Sequence, residues 1–532
     1  MLARKSALIV LNAVVGGALG FVALKVVALY MGAGIYGQLA YATSLVGLVM
    51  FLGNMGFTKA HAKRVSEGED VGDCVATLTA WNGAIASIYI LIVLGAFAAN
   101  ELFLGQDLFS TTQTTILLVT LAEAAFFMRK VARSTFEARV EAALSESVVF
   151  FEHIVRTPIM AAGALLYASS QGREGPIFGW LRANAPGLTD IVAEYAPETL
   201  AFAVTAAAVV SMTVGFVLLL QRVKPGDFSM KMVRSYAEFG LPVFGASSFN
   251  SLQQYHDKAA LGFFWSDAVA GRYFGFQRLF SFLEAVYAAV RSMLFPMISE
   301  RHAEGDREGV RRLSRESLRY LSMISVPAAF GATALAEPLI RIMLSEDWLP
   351  AVEVFIALAF VYPLRGIVQT LTQIQYGSDE PKMSAGISMF GSTMNVVVGL
   401  LLIPSSVLGF QLGGLAGLGA AAGTLVALVL DAGARAYTLQ FPLGRRVWLS
   451  WLRHWIAGGL MAYVVYRASL AIGEVRWFIL PALIALGGVV YFALLWVFRD
   501  FGRDDAMVFW AAVHPGEMAS YVKDEVLLDD ED

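Results

Sequence analysis

The sequence is poor in charge and almost without cysteine. Only 15% of its 532 residues are Asp, Glu, Lys or Arg, where a soluble domain carries about a quarter. A soluble chain of this length would divide into several domains, each needing a polar shell, and there are too few charges to coat them. Cys74 is the one cysteine, so no intramolecular disulfide can form. No GxxxxGK[ST] phosphate loop occurs, which excludes ATP hydrolysis by that route, and HExxH, CxxC and GxSxG are absent too. Nothing in the sequence points to nucleic-acid binding.

What is abundant is apolar sequence. Hydrophobic residues make up 57% of the chain, and the mean hydropathy is +0.63. The apolar residues come in runs of roughly 20, the length that crosses a hydrocarbon core about 30 Å thick. Arg4-Lys5 and the apolar run that follows could pass for a signal peptide. The run is too long for one, so it is read as a retained first span. The pattern predicts an all-α polytopic membrane protein with about 14 transmembrane helices, at roughly 7–31, 37–58, 75–99, 114–135, 147–170, 199–221, 236–264, 270–298, 317–343, 351–376, 385–403, 409–434, 454–472 and 477–498.

Basic residues test that topology, because cytoplasmic loops collect Lys and Arg. With the N-terminus in the cytoplasm, the outer loops hold three bases: Arg173, Arg182 and Arg476. Nine fall within spans: Lys25, Arg156, Lys258, Arg272, Arg278, Arg291, Arg341, Arg365 and Arg467. The other 27 of the 39 lie on the inner side. Such a bias would not survive a missed span in the middle, so both termini are expected in the cytoplasm of a multi-pass cell-membrane protein.

An internal repeat organises the spans. "ALYMGAGIYGQLAYATSL" (Ala28 to Leu45) resembles "LGFFWSDAVAGRYFGFQRL" (Leu261 to Leu279), with Gly37 matching Gly271. "KRVSEGED" (Lys63 to Asp70) likewise resembles "ERHAEGDR" (Glu300 to Arg307). Six spans separate the copies, so they share one orientation, and a parallel repeat relates two lobes about an axis along the membrane normal. The expected organisation is two pseudo-symmetric six-helix lobes, 1–221 and 222–440, a C-terminal helix pair over 441–498, and an acidic cytoplasmic tail over 499–532. A cavity near the midplane would lie between the lobes. The Gly-rich run from Gly413 to Gly423 reads as a close helix-packing face within a span.

A base in mid-membrane costs about 2.5–3.5 kcal/mol on insertion scales, so each within-span base needs a reason. Those near span ends can snorkel. Lys25 and Lys258 occupy nearly equivalent repeat positions, and together they would draw an anion into a cavity. The bland alternative pairs Lys258 with Asp257, which neighbouring residues about 100° apart on a helix do poorly. Polar stripes at helical spacing mark three spans: Ser247, Asn250, Gln254 and Asp257; Gln277, Ser281, Glu284 and Arg291; Tyr362, Arg365, Gln369, Gln373 and Tyr376. Lipid cannot satisfy them, so they face protein or a wet cavity. The candidate substrate-binding residues are Lys25, Lys258, Arg278, Arg365, Asn250, Gln254, Gln369 and Gln373. The candidate ion-coupling acids are Asp257, Glu284, Glu123 and Asp431. His256 has no metal-ligand constellation around it, and neither a metal nor a cofactor is expected. Coupling to a cation gradient or to the membrane potential stays open.

The segment "DKAALGFFWSDAVAGRYFGFQRL" (Asp257 to Leu279) resembles a signature of the polysaccharide-export flippases, in which an Asp-Lys pair precedes Leu-Gly and a Val-Gly-x-Tyr-like turn follows. Here the turn reads Val269-Ala270-Gly271-Arg272-Tyr273, one residue longer. "YGQLAYATSLVGLVMFLGNMGFTKAHAKRVSEGE" (Tyr36 to Glu69) is similar to that family's opening. The family belongs to the multidrug/oligosaccharidyl-lipid/polysaccharide exporter superfamily. The resemblance implies two six-helix lobes and a substrate such as an oligosaccharide on an isoprenoid diphosphate, flipped from the cytoplasmic to the outer leaflet; rocking of the two repeated lobes would give the cavity alternating access to each side. It implies membrane lipids and glycan-assembly enzymes as partners. Two other functions compete: a cation-coupled multidrug or small-molecule exporter of the same superfamily, and a membrane glycosyltransferase or polymerase. The first span carries no acidic residue, which counts against the drug exporter. No outer loop carries a recognisable catalytic motif, which counts against the enzyme.

Overall fold

The computed structural model describes residues 2–50, 56–104, 111–139, 141–439, 444–503 and 505–507. The chain is almost wholly helical. It opens with α1 (Leu2–Tyr30), α2 (Gly32–Met50), α3 (Phe57–Ser66), α4 (Val71–Leu104), α5 (Thr111–Ala138) and α6 (Ala142–Ser170). Two short helices follow, α7 (Pro176–Asn184) and α8 (Pro186–Glu194), and then α9 (Ala196–Leu220), α10 (Met230–Phe264), α11 (Asp267–Leu279), α12 (Ser281–Ala303), α13 (Arg307–Ala334) and α14 (Ala336–Met343). After a 3-10 turn at Glu346–Ala351 come α15 (Val352–Gly377) and α16 (Pro381–Leu402). A hairpin of β1 (Ser406–Val407) and β2 (Phe410–Gln411) leads into α17 (Ala416–Thr438), α18 (Arg445–Ile472) and α19 (Leu480–Val497).

Among the described residues, eight helices are long and apolar enough to cross a membrane, or nine if α13 and α14, bent by 82° at their junction, form one broken span. The fourteen-span reading takes its other five from α1, α2, α5, α10 and the α11–α12 pair. The chain is therefore an all-α, multi-pass membrane protein. One boundary moves: residues 409–415, read as the start of a span, belong to the β-hairpin and its exit, and α17 begins only at Ala416. The small-residue face that follows does pack closely, since a methyl group at Gly423 would sit 3.0 Å from the Gly399 backbone nitrogen on α16.

The described chain falls into two compact units. The first comprises Leu8–Gly275 with Ile403–Ala416; the second comprises the start of α1, Phe276–Leu402, and the chain from Gly417 on. In the first unit, one core cluster joins Phe57, Leu78, Val131, Phe136, Val148, Leu219 and Tyr236 from six helices. The short amphipathic α3 turns Phe57, Ala60, His61 and Val65 inward at helical spacing and leaves Lys59 and Lys63 outside. His61 is fully buried, with one ring nitrogen 2.8 Å from the Thr135 hydroxyl and the other 3.2 Å from the Tyr236 hydroxyl.

In the second unit, α13 packs against α15 and α18, and where the three meet Phe360 stacks on Trp455 while Phe330 meets both rings edge-on. A polar knot closes one end of this layer. Arg319 donates to both carboxylate oxygens of Asp505, at 3.0 and 2.7 Å, and to the Asp500 backbone carbonyl at 2.6 Å. Asp500 also accepts from Ser450 and lies 2.9 Å from His454, whose other nitrogen is 2.6 Å from the Ser322 hydroxyl. Ser322, His454 and Asp500 thus form a serine–histidine–aspartate chain, but Ser322 and His454 are buried, so it ties α13 to α18 and to the chain after α19. Burial pushes the Asp500 carboxyl up, but the His454 and Ser450 hydrogen bonds outweigh that and hold it below the ordinary carboxylate range. The run Asp529 to Asp532 lies outside the described residues.

Burial holds the His61 imidazole well below its usual value, at about 4, against a smaller opposing hydrogen bond involving the Cys74 backbone. The neutral ring therefore stabilises the fold above pH 6.5, and that contribution is lost as the pH falls through 4. The shift corresponds to about 3 kcal/mol. Thermal unfolding midpoints of the purified protein are expected to fall on acidification through this window, and His61→Asn should flatten that slope. An unchanged slope in the variant would contradict the assignment.

Candidate functional site

The within-span polar groups are where substrate or ion chemistry would be held, and most of them are found in compact networks. In the second unit, the α15 stripe turns toward α11 and α12. Arg365 Nη1 donates to Glu284 Oε1 at 3.3 Å, and Gln369 Nε2 donates to Glu284 Oε2 at 3.1 Å. One helical turn of α15 thus grips both oxygens of a single carboxylate. The Tyr362 hydroxyl donates to the Gln277 carbonyl at 2.9 Å, and the Arg365 guanidinium lies 5.5 Å from the Tyr362 ring. Arg365 is the fourteenth residue of the 26-residue α15, so the pair sits near the middle of the span. About a third of each side chain remains exposed, 34% for Arg365 and 30% for Glu284. Gln373 is half-buried farther along the same stripe, and Arg278 is exposed on α11.

Asp431 stands in a different network. Arg435 is only 1% exposed and fans its guanidinium over Asp431, Gln375, Ser384 and Ser388, which joins α15, α16 and α17. A buried charge that finds four acceptors is a strut, and Asp431 is one of its supports.

In the first unit, Lys258 is buried and curls back onto its own helix. Its ammonium donates to the Gln254 carbonyl and lies 3.4 Å from Asp257 Oδ1, with the Tyr255 and Phe274 rings 5.9 and 5.8 Å away. The neighbouring pairing that helix geometry disfavours is therefore made: the lysine stem folds back, while the Asp257 carboxylate accepts from the Lys258 backbone N–H at 2.8 Å. Lys25 differs. It is half-buried, five residues from the end of α1, or about 8 Å along the axis. The side chain of Gln254 is exposed, and that of Asn250 lies outside the described residues. Glu123 is half-buried on α5 and lines a small cleft with Tyr89, Thr120 and Phe127.

The sequence reading passed over one cluster. Glu152 on α6 takes Arg129 of α5 on one oxygen, at 2.6 Å, and Arg156 on the other, at 3.0 Å. Arg129 also donates to Ser211 of α9 at 3.1 Å, and Arg156 lies 3.2 Å from a His153 ring nitrogen. Arg156 is midway along α6. Two guanidinium groups share one carboxylate, which leaves the cluster net positive. Glu152 and Arg156 stand four apart inside the apolar run "SVVFFEHIVRTPIM", and that spacing was a legible signal.

The repeated turns meet within the first unit. A methyl group at Gly37 of α2 would collide with the Asp267 carbonyl oxygen, and one at Gly271 of α11 would lie 2.8 Å from the Gly37 Cα. Tyr36 stacks on Phe274 beside this contact, with ring centroids 5.5 Å apart. The two matching glycines of the repeat thus touch backbone to backbone.

Residues 187–353 match a protein family described as polysaccharide biosynthesis protein. The resemblance to the polysaccharide flippases holds. A probable low-salt glycan biosynthesis flippase, Agl15 of Haloferax volcanii, is 22% identical over 404 residues, which cover 76% of this chain and 78% of that protein. Among solved structures, the lipid II flippase MurJ in an inward closed conformation matches with a TM-score of 0.69 at 13% identity, covering 92% of this chain and 98% of that one. An inward-facing multidrug resistance transporter of the MATE family matches with a TM-score of 0.57 at 12% identity, covering 82% and 95%. At those identities the solved structures establish the fold alone, one shared with both of these transporters.

Two outcomes test the geometry. Arg365→Gln leaves the Glu284 charge short of its strongest partner, so it should lower unfolding stability by about 1–3 kcal/mol, discounted for partial exposure. The Arg365→Gln/Glu284→Gln pair should cost less than either single change, and a double variant as costly as the sum of both would refute the coupling. At the glycine contact, Gly37→Ala should destabilise by about 1–3 kcal/mol through overpacking. Gly34→Ala, at a position where a methyl meets nothing within 4 Å, should be neutral in the same melting assay.

Proposed function

We propose that this protein flips a lipid-linked oligosaccharide, carried on an isoprenoid diphosphate, from the cytoplasmic to the outer leaflet by alternating access. What carries the reading is the likeness to a glycan-biosynthesis flippase over 404 residues, on a fold whose structural neighbour is a lipid II flippase. The intramembrane chemistry fits that substrate. A diphosphate leaving water needs cations. Lys25 is half-buried and Arg278 exposed, while Arg365 keeps a third of its side chain open beside Gln369 and Gln373. Charged groups at mid-span cannot face hydrocarbon, so the open portions face polar space. Gln254 and the glutamines of α15 offer donors and acceptors to sugar hydroxyls. In this scheme Lys258 supports the cavity wall from within its pairing with Asp257. The bias of basic residues orients both termini toward the cytoplasm.

The driving force is assigned to a cation gradient or the membrane potential, with Glu123, Asp257, Glu284 and Asp431 as the acids able to take part. Glu123 is the half-buried one outside the two networks of the second unit. Glycan-assembly enzymes would supply the donor on one side and consume it on the other. The drug-exporter reading draws on the MATE likeness, which concerns the fold alone.

Reconstitution into vesicles with fluorescent lipid-linked sugars tests the proposal. Labelled donor is expected to reach the opposite leaflet only in vesicles that hold the protein. Lys25→Gln should cut the rate at least tenfold with insertion unchanged, and Lys25→Arg should restore part of it by keeping the charge. Lys258→Gln should act mainly by lowering stability, because it strands Asp257. Transport of a small cationic drug with no movement of any lipid-linked sugar would overturn the reading in favour of the exporter.

A further inference from the structure

The β-hairpin between α16 and α17 has an unusual tip. Val407 pairs with Phe410, which leaves a two-residue loop of Leu408 and Gly409, with φ of 50° and 85°. Positive φ at both central residues is the pattern of a type I′ turn, where Asn-Gly or Asp-Gly is favoured because L side chains resist it. A bulky apolar residue there is an outlier that needs a reason. Leu408 is 94% exposed and Phe410 74% exposed, so neither gains anything by packing on the protein. The whole segment Ile403–Ala416 contains no charged residue. A hairpin surrounded by water would hold polar residues at the tip, and this one holds none.

Exposed apolar residues flank the hairpin along the chain on both sides. The last turns of α16 expose Val397, Leu400 and Leu401, and Leu415 is exposed just before α17. Beneath the hairpin, the Trp265 indole N–H donates to the Ile403 carbonyl at 2.8 Å, and Trp265 with Phe263 and Phe264 exposes an aromatic cluster at the end of α10. Aromatic rings gather where the headgroups of a bilayer begin. We propose that Leu408 and Phe410 insert into the lipid leaflet at this end of the protein and anchor the hairpin in the bilayer interface. The occupant is the phospholipid surface itself. Chain continuity with the apolar belt of α16, the uncharged segment and the costly turn choice all point the same way, and the inference does not depend on which molecule is transported.

The test uses Leu408→Cys and, separately, Phe410→Cys, each labelled with an environment-sensitive fluorophore in phosphatidylcholine nanodiscs. Cys74 is buried, and background labelling is read from the unsubstituted chain. Val489→Cys on the exposed face of α19 serves as the lipid reference, and Glu67→Cys, exposed at the end of α3, as the water reference. Nitroxide lipids labelled near the headgroup are expected to quench both hairpin probes several-fold more than Glu67→Cys. Nitroxides at the bilayer centre should quench them less than they quench Val489→Cys. Quenching at the Glu67→Cys level means that the tip stands in water and overturns the proposal. A blue-shifted but unquenched probe means that a second copy of the chain covers the tip and overturns it equally.

Discussion

The structure depends on one constraint: within the hydrocarbon core, water cannot satisfy a polar group, so the protein must. Each within-span network answers it locally. Glu284 takes an arginine and a glutamine from one turn of α15, Glu152 takes two arginines, and Arg435 spreads its guanidinium over four acceptors. The networks differ in what they leave over. Arg435 with Asp431 is saturated and buried, which suits a strut. The Arg129–Glu152–Arg156 cluster carries surplus positive charge, and the Arg365–Glu284 pair stays partly open. Saturation makes a network a fixed support, whereas a partly open pair keeps charged surface uncovered.

The same constraint explains what could be read in the sequence. Apolar runs and basic flanks gave the all-helical, multi-pass class directly, because both follow from the thickness and asymmetry of a bilayer. The stripe Tyr362, Arg365, Gln369 was legible because helical spacing puts it on one face, and that face does meet α11 and α12. Partner choice was not legible. Spacing on one helix cannot show that Arg365 finds Glu284, 81 residues away, or that Arg435, which reads as a flanking inner base, is buried between its own helix and two others. Lys258 shows the opposite failure: an average angle between neighbours argued against pairing with Asp257, and side-chain flexibility made the pairing anyway. The start of α17 was misplaced because Phe410 to Leu415 is apolar enough for a span, and composition alone does not distinguish a hairpin from a helix there.

The C-terminal helices acquire a structural meaning from the knot at Arg319. Three elements far apart in sequence, α13, α18 and the chain beyond α19, converge on Asp500 and Asp505. Within the second unit, the pair α18–α19 is thereby joined to α13 by polar contacts at one end as well as by the apolar faces of α13 and α18. It comes last in the chain, yet it is fastened to a helix more than a hundred residues before it.

The contact of Gly37 with Gly271 carries a consequence for substitution. A methyl at Gly271 would meet the Gly37 backbone, and one at Gly37 would meet the Asp267 carbonyl and crowd the Gly271 nitrogen. A side chain gained at either position would strike main chain, which cannot swing aside as a rotamer can. Neither glycine can therefore change while the other helix stays where it is. The approach of α2 to α11 is locked at a point where neither helix has a side chain left to trim.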